Sequence, residues 1–291
     1  MAKFRLLILI FILVAAAYFL VFEIISVSSR KDSPTVLASQ NFFGQLNNGG
    51  NLPETDNASS QKAKEDALII DLQGLIATSS AKVGVAITDL NLGKSFGVNQ
   101  DGIFDLASVE KLLVATYAFS QIDAGVFQPD QIIAGKPLIE NLRLLINHSD
   151  NDSWDKLNSF LGLGNLQNFA KELGLTNLSV FENEGTPADT NRLLLKIYDE
   201  HFLSPGSREK LLSFMRNTLY EQRIPQALPK ETIIYHKTGT VNTAVNDAAI
   251  VVHPQKPFVI TILTDNVFQE SVGDQLIHQI ARKVWDFFDK A

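Results

Sequence analysis

From Ala63 onward, Leu68, Leu72, Leu75 and Ile76 recur at i, i+4, i+7 and i+8, the stripe of an amphipathic helix. VGVAITD (83–89) then alternates apolar and small or polar residues as a strand does, and NLGKSFGV supplies a turn and a second strand. Helical patterns dominate from Ala107 to about Phe214, in segments broken by Gly, Pro, Asn and Ser. Strands return in NDAAIVVH (246–253) and PFVITILTD (257–265), joined by the hairpin-like PQK. A last helix carries Ile277, Ile280, Ala281, Val284 and Phe288 on one face. Strands at both ends of a helical middle predict an α/β (α+β) fold. Its antiparallel sheet is assembled from the two ends, helices flank it, and a helical region is inserted between. No internal repeat is evident.

Upstream, the pattern changes. Residues 6–22, LLILIFILVAAAYFLVF, are apolar and uncharged, with Lys3 and Arg5 before them. At about 1.5 Å per residue this run spans roughly 26 Å, near the roughly 30 Å of a bilayer core, and Ile24 and Ile25 extend it past Glu23. Ala15 to Ala17 offer a cleavage site as the competing reading, but bulky apolar residues follow them, which suits an N-terminal transmembrane helix better than a removed signal. Lys3 and Arg5 favour a cytoplasmic tail and an exported body, with Arg30 and Lys31 opposing. Residues 28–62 are rich in Ser, Asn, Gln and Gly and read as a flexible tether. The expected organisation is an anchor or signal over 1–27, a linker over 28–62 and a catalytic domain over 63–291. That domain would lie outside the cytoplasmic membrane, anchored there or, alternatively, secreted after cleavage.

A net charge of -7 without an extended basic block argues against nucleic acid as a partner. The absence of cysteine excludes disulfides, thiolate metal sites and cysteine nucleophiles. The five histidines show no HExxH or other close pairing, so no metal and no cofactor is expected.

Three strings carry the candidate chemistry: SVEK (108–111), SDN (149–151) and KTG (237–239). SxxK alone is weak, because it also starts at Ser28, Ser59, Ser79, Ser153 and Ser207. SDN and KTG each occur once, and only Ser108 opens an apolar helical pattern. Ser108 and Lys111, at i and i+3, share a helix face. A serine hydroxyl needs a base, and a desolvated lysine can serve as one. Free N–H groups at the helix start favour developing negative charge. A second hydroxyl, Ser149, could relay a proton to a leaving amine, and Asn151 could orient the substrate amide; SDND is equally a helix-capping junction. Lys237, Thr238, Gly239 and Thr240 follow the strand-like TIIYH. Lysine and threonine donors there could hold a carboxylate, Gly239 permits close backbone approach, and a backbone N–H just beyond it could complete an oxyanion hole with that of Ser108. His148 beside Ser149 suggests a Ser/His pair, but no GxSxG elbow accompanies it.

In this order the strings resemble those of the penicillin-recognising serine enzymes, specifically the class A β-lactamase branch, and the likeness covers most of residues 63–291. TPADTNRLLLKI (186–197) resembles the family's helix after its omega loop, and EQRIPQALPKETIIYHKTG resembles its approach to the third motif. The resemblance implies an α/β/α sandwich with an all-helical subdomain. It implies that Ser108 is acylated, Lys111 activates it, Ser149 passes a proton to the leaving nitrogen and Asn151 binds the substrate amide. Lys237, Thr238 and Thr240 would recognise the carboxylate, with the Ser108 and Thr240 N–H groups as oxyanion hole. The implied substrate is a β-lactam or a D-Ala-D-Ala-type peptide, handled by a monomeric domain. The implied activities are β-lactam hydrolysis, a penicillin-binding-protein-like D,D-peptidase or transpeptidase, or a non-catalytic wall-binding domain. Family members of this class deacylate with a glutamate in a long omega loop. Here the segment from Leu175 to Thr186 is short, and Glu182 and Glu184 are its acidic candidates, with plain surface charge as the competing reading. Glu110 stands where an apolar residue is more typical. The intervals of 41 from Ser108 to Ser149 and 88 on to Lys237 are short, so the helical subdomain should be reduced.

Overall fold

The computed structural model describes residues 54–290. The expected anchor over 1–27 and most of the expected linker lie outside these residues. Among the described residues no helix is long and apolar enough to cross a membrane.

The first helix, α1 (Glu54–Ala77), starts nine residues before the expected Ala63 and takes up the end of the expected linker. Pro53 is the last breaker in that stretch, and the Ser, Gln, Lys, Glu and Ala residues after it tolerate helix. The sheet follows the predicted pattern. Strands β1 (Lys82–Asp89), β2 (Lys94–Val98), β7 (Ile233–Val241), β8 (Ala244–Val252) and β9 (Phe258–Asp265) form one antiparallel sheet in the order β2-β1-β9-β8-β7. The two chain ends meet where β1 pairs β9 (Val85↔Ile262), and β7 is left as an edge strand.

Period-two alternation sends successive residues of β8 and β9 into different cores. Ala248, Ile250, Val259 and Leu263 pack with the helical middle, whereas Ala249, Val251, Phe258, Ile260 and Ile262 pack with Leu68 and Leu72 of α1 and the apolar face of α9 (Glu270–Lys290). Both faces of the sheet are thus covered. In the middle, α2 (Lys111–Asp123) buries Leu112, Leu113, Val114, Ala115, Ala118 and Phe119, an all-round apolar surface that only a central helix can satisfy. Around it stand α3 (Leu138–Asn147), α4 (Asn151–Leu161), α5 (Leu163–Glu172), α6 (Pro187–Tyr198) and α7 (Pro205–Phe214), and the short α8 (Ile224–Ala227) precedes β7. Two-residue strands β3 (Phe104–Asp105) and β6 (Glu184–Gly185) pair with each other, and β4 (Ile132–Ile133) pairs with β5 (Lys136–Pro137).

Candidate active site

Ser108 lies in a 3-10 turn, Ala107–Glu110, that runs into α2. The residue before it, Ala107, has φ 49°, a left-handed conformation that costs an L-residue roughly 1–2 kcal/mol. Three contacts hold it there. Asp105 Oδ1 accepts from Ala107 N (2.8 Å), Asn183 Nδ2 donates to Ala107 O (3.2 Å), and Leu106 N donates to Asn183 O (2.9 Å). The β3–β6 pairing fixes the same junction, so the short segment before α6 clamps the approach to the serine.

Lys111 is 2 % exposed, and among the described residues its amine bonds to the second motif rather than to Ser108 Oγ. Lys111 Nζ donates to Ser149 O (2.7 Å) and Asn151 Oδ1 (2.7 Å), with Ser149 Oγ at 3.5 Å. Lys237 Nζ donates to Ser149 Oγ (2.8 Å) and to Thr238 O (2.7 Å). Two lysine amines therefore meet on one hydroxyl. Burial lowers the Lys111 pKa to about 8, although the negative charges of Asp150, Glu110 and Asp155 oppose the shift. Burial, and then the positive charge of Lys111, holds Lys237 well below the usual lysine range. Ser149 takes φ 55°, and Asp150 caps α4 by accepting from Ser153 N (2.7 Å). Capping and presentation of Ser149 and Asn151 thus coexist.

Strand β7 carries Lys237 to Thr240 along the open edge of the sheet. A Cβ on Gly239 would stand 2.8 Å from Leu106 O and 2.9 Å from Ser108 N, so glycine alone lets the strand reach the serine's backbone. Thr238 is buried and makes no side-chain hydrogen bond among the described residues. Arg223, 1 % exposed, donates to Gly239 O (2.9 Å), Asn246 O (2.7 Å) and Thr240 Oγ1 (2.6 Å), and its charge is met by Glu270 and Asp274 of α9 (2.8 Å each). His236, fully buried, lies between Asp247 (3.0 Å) and Glu221 (3.1 Å). Burial would lower its pKa, but the two carboxylates prevail and hold it at about 9.

A cavity of about 300 Å³ is lined by Ala107, Ser108, Lys111, Asn151, Trp154, Asp155, Asn183, Thr240 and Val241. Neither Glu182 nor Glu184 is in its wall. Both are exposed: the chain turns back at Ser179, which exchanges backbone hydrogen bonds with Glu184, and it is Asn183 between them that faces the cavity. The expectation that one of these glutamates serves as deacylating base therefore has no geometric support. Glu110 is buried beside the lysine. Its Oε2 accepts from Trp154 Nε1 (2.8 Å), its Oε1 has no partner, and burial raises its pKa to about 7 against the Trp154 hydrogen bond and the Lys111 charge. A second, larger surface cleft, of about 680 Å³, runs past Glu221, Pro225 and Lys230 and contains none of the three motifs.

A family model described as the β-lactamase enzyme family matches residues 67–288. The chain belongs to the β-lactamase enzyme family. Beta-lactamase VEB-1 of Pseudomonas aeruginosa is 25 % identical over 274 residues, covering 78 % of this chain and 92 % of that protein. Among solved structures, a variant of PBP-A described as an acyl-enzyme complex with penicillin G is 27 % identical at a TM-score of 0.73, covering 78 % of this chain and 97 % of that one. The reconstructed last common ancestor of Gram-negative class A β-lactamases aligns at a TM-score of 0.73 and 24 % identity, over 76 % and 99 % of the two chains. This β-lactamase-family chain thus has the class A fold.

Sequence reasoning passed over four residues of the site. Arg223 is concealed in a polar stretch, and only its burial distinguishes it. Trp154 and Asp155 follow Asn151 at i+3 and i+4, so helical spacing alone would have put them on its face. Asn183 gave no signal except its place between the two glutamates that were considered.

Proposed function

We propose that the protein is a serine hydrolase that opens the β-lactam amide through an acyl intermediate on Ser108. The observation that carries this reading is the Lys111–Ser149–Lys237 chain of amines and hydroxyl, joined through Lys111 to the cavity that exposes Ser108. With a pKa of about 8, roughly a tenth of Lys111 is neutral at pH 7 and can take the Ser108 proton as Oγ attacks the carbonyl carbon. The oxyanion develops toward the N–H groups of Ser108 and Thr240, which the close Gly239 approach brings near each other. As the C–N bond breaks, Ser149 Oγ gives its proton to the nitrogen and is reprotonated from Lys111 or Lys237. Asn151 orients the acyl amide. Lys237, Thr238 and Thr240 receive the carboxylate, with the buried Arg223 holding the Thr240 hydroxyl in place by donating to its Oγ1.

The off-wall positions of Glu182 and Glu184 favour one second reading, a penicillin-binding-protein-like D,D-peptidase whose acyl-enzyme persists. The structure of a PBP-A variant similar to this chain is described as an acyl-enzyme complex with penicillin G. By analogy with the exported habit expected from residues 6–22, either enzyme would act outside the cytoplasmic membrane. Full-length protein mixed with a fluorescent penicillin should label covalently, and Ser108→Ala should abolish the label. Concurrent ring opening, followed by absorbance, separates the readings: many turnovers per protein support the hydrolase and a single stoichiometric burst supports the second. Absence of any adduct refutes both.

A further inference from the structure

A hydrolase of this type still needs a group to activate the water that releases Ser108. Several acidic groups surround the site, and all but one are otherwise committed or misplaced. Glu270 is paired with Arg223, and Asp105 accepts from Ala107 N. Asp150 is held by Ser153 N as the cap of α4. Glu110 spends one oxygen on Trp154 Nε1, and its other oxygen is sealed from solvent. Glu182 and Glu184 are outside the cavity wall. Asp155 is different. It is the one carboxylate in the wall among the described residues, shares that wall with Ser108, and makes no hydrogen bond or ion pair there. It follows Asn151 by one helical turn on α4, and Asn151 is itself tied to Lys111, so the carboxylate is carried on a rigid element toward the acylation machinery. Its charge acts on Lys111.

Asn183 lines the same cavity. It donates to Ala107 O through Nδ2, while its Oδ1 is buried without a partner. Buried polar atoms are rarely left unmatched, and an acceptor in this wall suits a water. We infer that Asp155 is the general base of deacylation and that Asn183 Oδ1 is the second acceptor orienting the attacking water. The inference rests on the proposed acylation of Ser108.

The water oxygen bonds to the acyl carbon as one of its protons passes to an Asp155 oxygen. The tetrahedral intermediate collapses with cleavage of the bond between the acyl carbon and Ser108 Oγ, and Asp155 passes that proton through the neutral Lys111 amine to Oγ. This restores a neutral Lys111, an ionised Asp155 and the Ser108 hydroxyl, and leaves a free carboxylic acid.

The experiment is a burst measurement on full-length protein with a fluorescent penicillin and a chromogenic cephalosporin. Asp155→Asn keeps the size and hydrogen-bonding capacity but not the basicity. It should acylate at a rate within about threefold of the unaltered protein while deacylation slows about 10²-fold or more, so that labelled protein accumulates. Asp155→Glu, which restores a carboxylate to the wall, should recover most of the turnover even if the Asn variant folds poorly. Glu182→Gln and Glu184→Gln should turn over as before. Unchanged turnover in Asp155→Asn, or trapping in either glutamine variant, overturns the inference. If the unaltered protein itself labels once and never releases, the inference fails while acylation of Ser108 stands. If nothing labels, both fail.

Discussion

Glu110 shows how one buried side chain can tie stability to pH. Its carboxyl lies next to Lys111, is almost wholly buried, and has its pKa raised from 4.5 to about 7 because burial penalises the charged form more than Trp154 and Lys111 favour it. A raised acid pKa means the folded state holds the proton more tightly than the unfolded chain. The stabilisation is complete below about pH 4.5 and is lost as the pH rises through about 7, an effect of roughly 3 kcal/mol at about 1.4 kcal/mol per unit. Glu110→Gln keeps an acceptor for Trp154 Nε1 and removes the titration. Its melting temperature, compared with that of the unaltered protein in one buffer series, should show an advantage that widens between pH 5 and pH 8. A difference constant across that range would refute this account. The same carboxylate adds negative charge that keeps Lys111 from falling further, so the acylation rate of the glutamine variant should reach its plateau at lower pH.

At the scale of elements, the site depends on an edge strand pressed against a 3-10 turn. The backbone of residues 106–108 lies against β7 at Gly239, and this approach is possible only where Cβ is missing. Gly239→Ala would push against Leu106 O and Ser108 N, both backbone atoms that cannot rotate away. We expect a loss of about 1–3 kcal/mol of stability, from the overpacking alone. Acylation should fall by about 10² or more, because the two oxyanion N–H groups separate. Denaturant titration and burst labelling measure the two effects; an Ala variant that labels at the normal rate would show that the contact is dispensable. That KTG lies on a strand was legible from TIIYH before it; that this strand is at the sheet's edge was not. Nor was the geometry of the segment before α6. Its residues carry no periodicity, and what fixes them is long-range: the β3–β6 pairing, and Asn183 bonded to a chain segment 76 positions earlier. Local patterns cannot report such contacts, which is why the glutamates drew notice and the asparagine between them did not.

In the whole molecule, the two ends of the described chain close one core. Leu68 and Leu72 of α1 pack with Ile277, Ile280, Val284 and Phe288 of α9 against the sheet face that carries Val85, Val251 and Ile260, and Lys283 reaches Asp71 at 2.7 Å across the same pair of helices. The apolar stripes of both helices were visible in sequence, but that they meet follows only from β1 pairing with β9, which brings segments 169 or more positions apart into one sheet. The family match, beginning at residue 67, takes in Leu68 and Leu72 yet leaves out more than the first three turns of α1. A chain starting at residue 54 should therefore fold and label with penicillin like the full-length protein, whereas one starting at Lys82 should not, because it exposes a sheet face built to be covered. The single change Leu72→Ala tests the same point without truncation. Its side chain is fully buried, and its loss should cost about 2–5 kcal/mol. Cooperative unfolding in denaturant measures it, and a cost below 1 kcal/mol would mean that α1 decorates this domain instead of completing it.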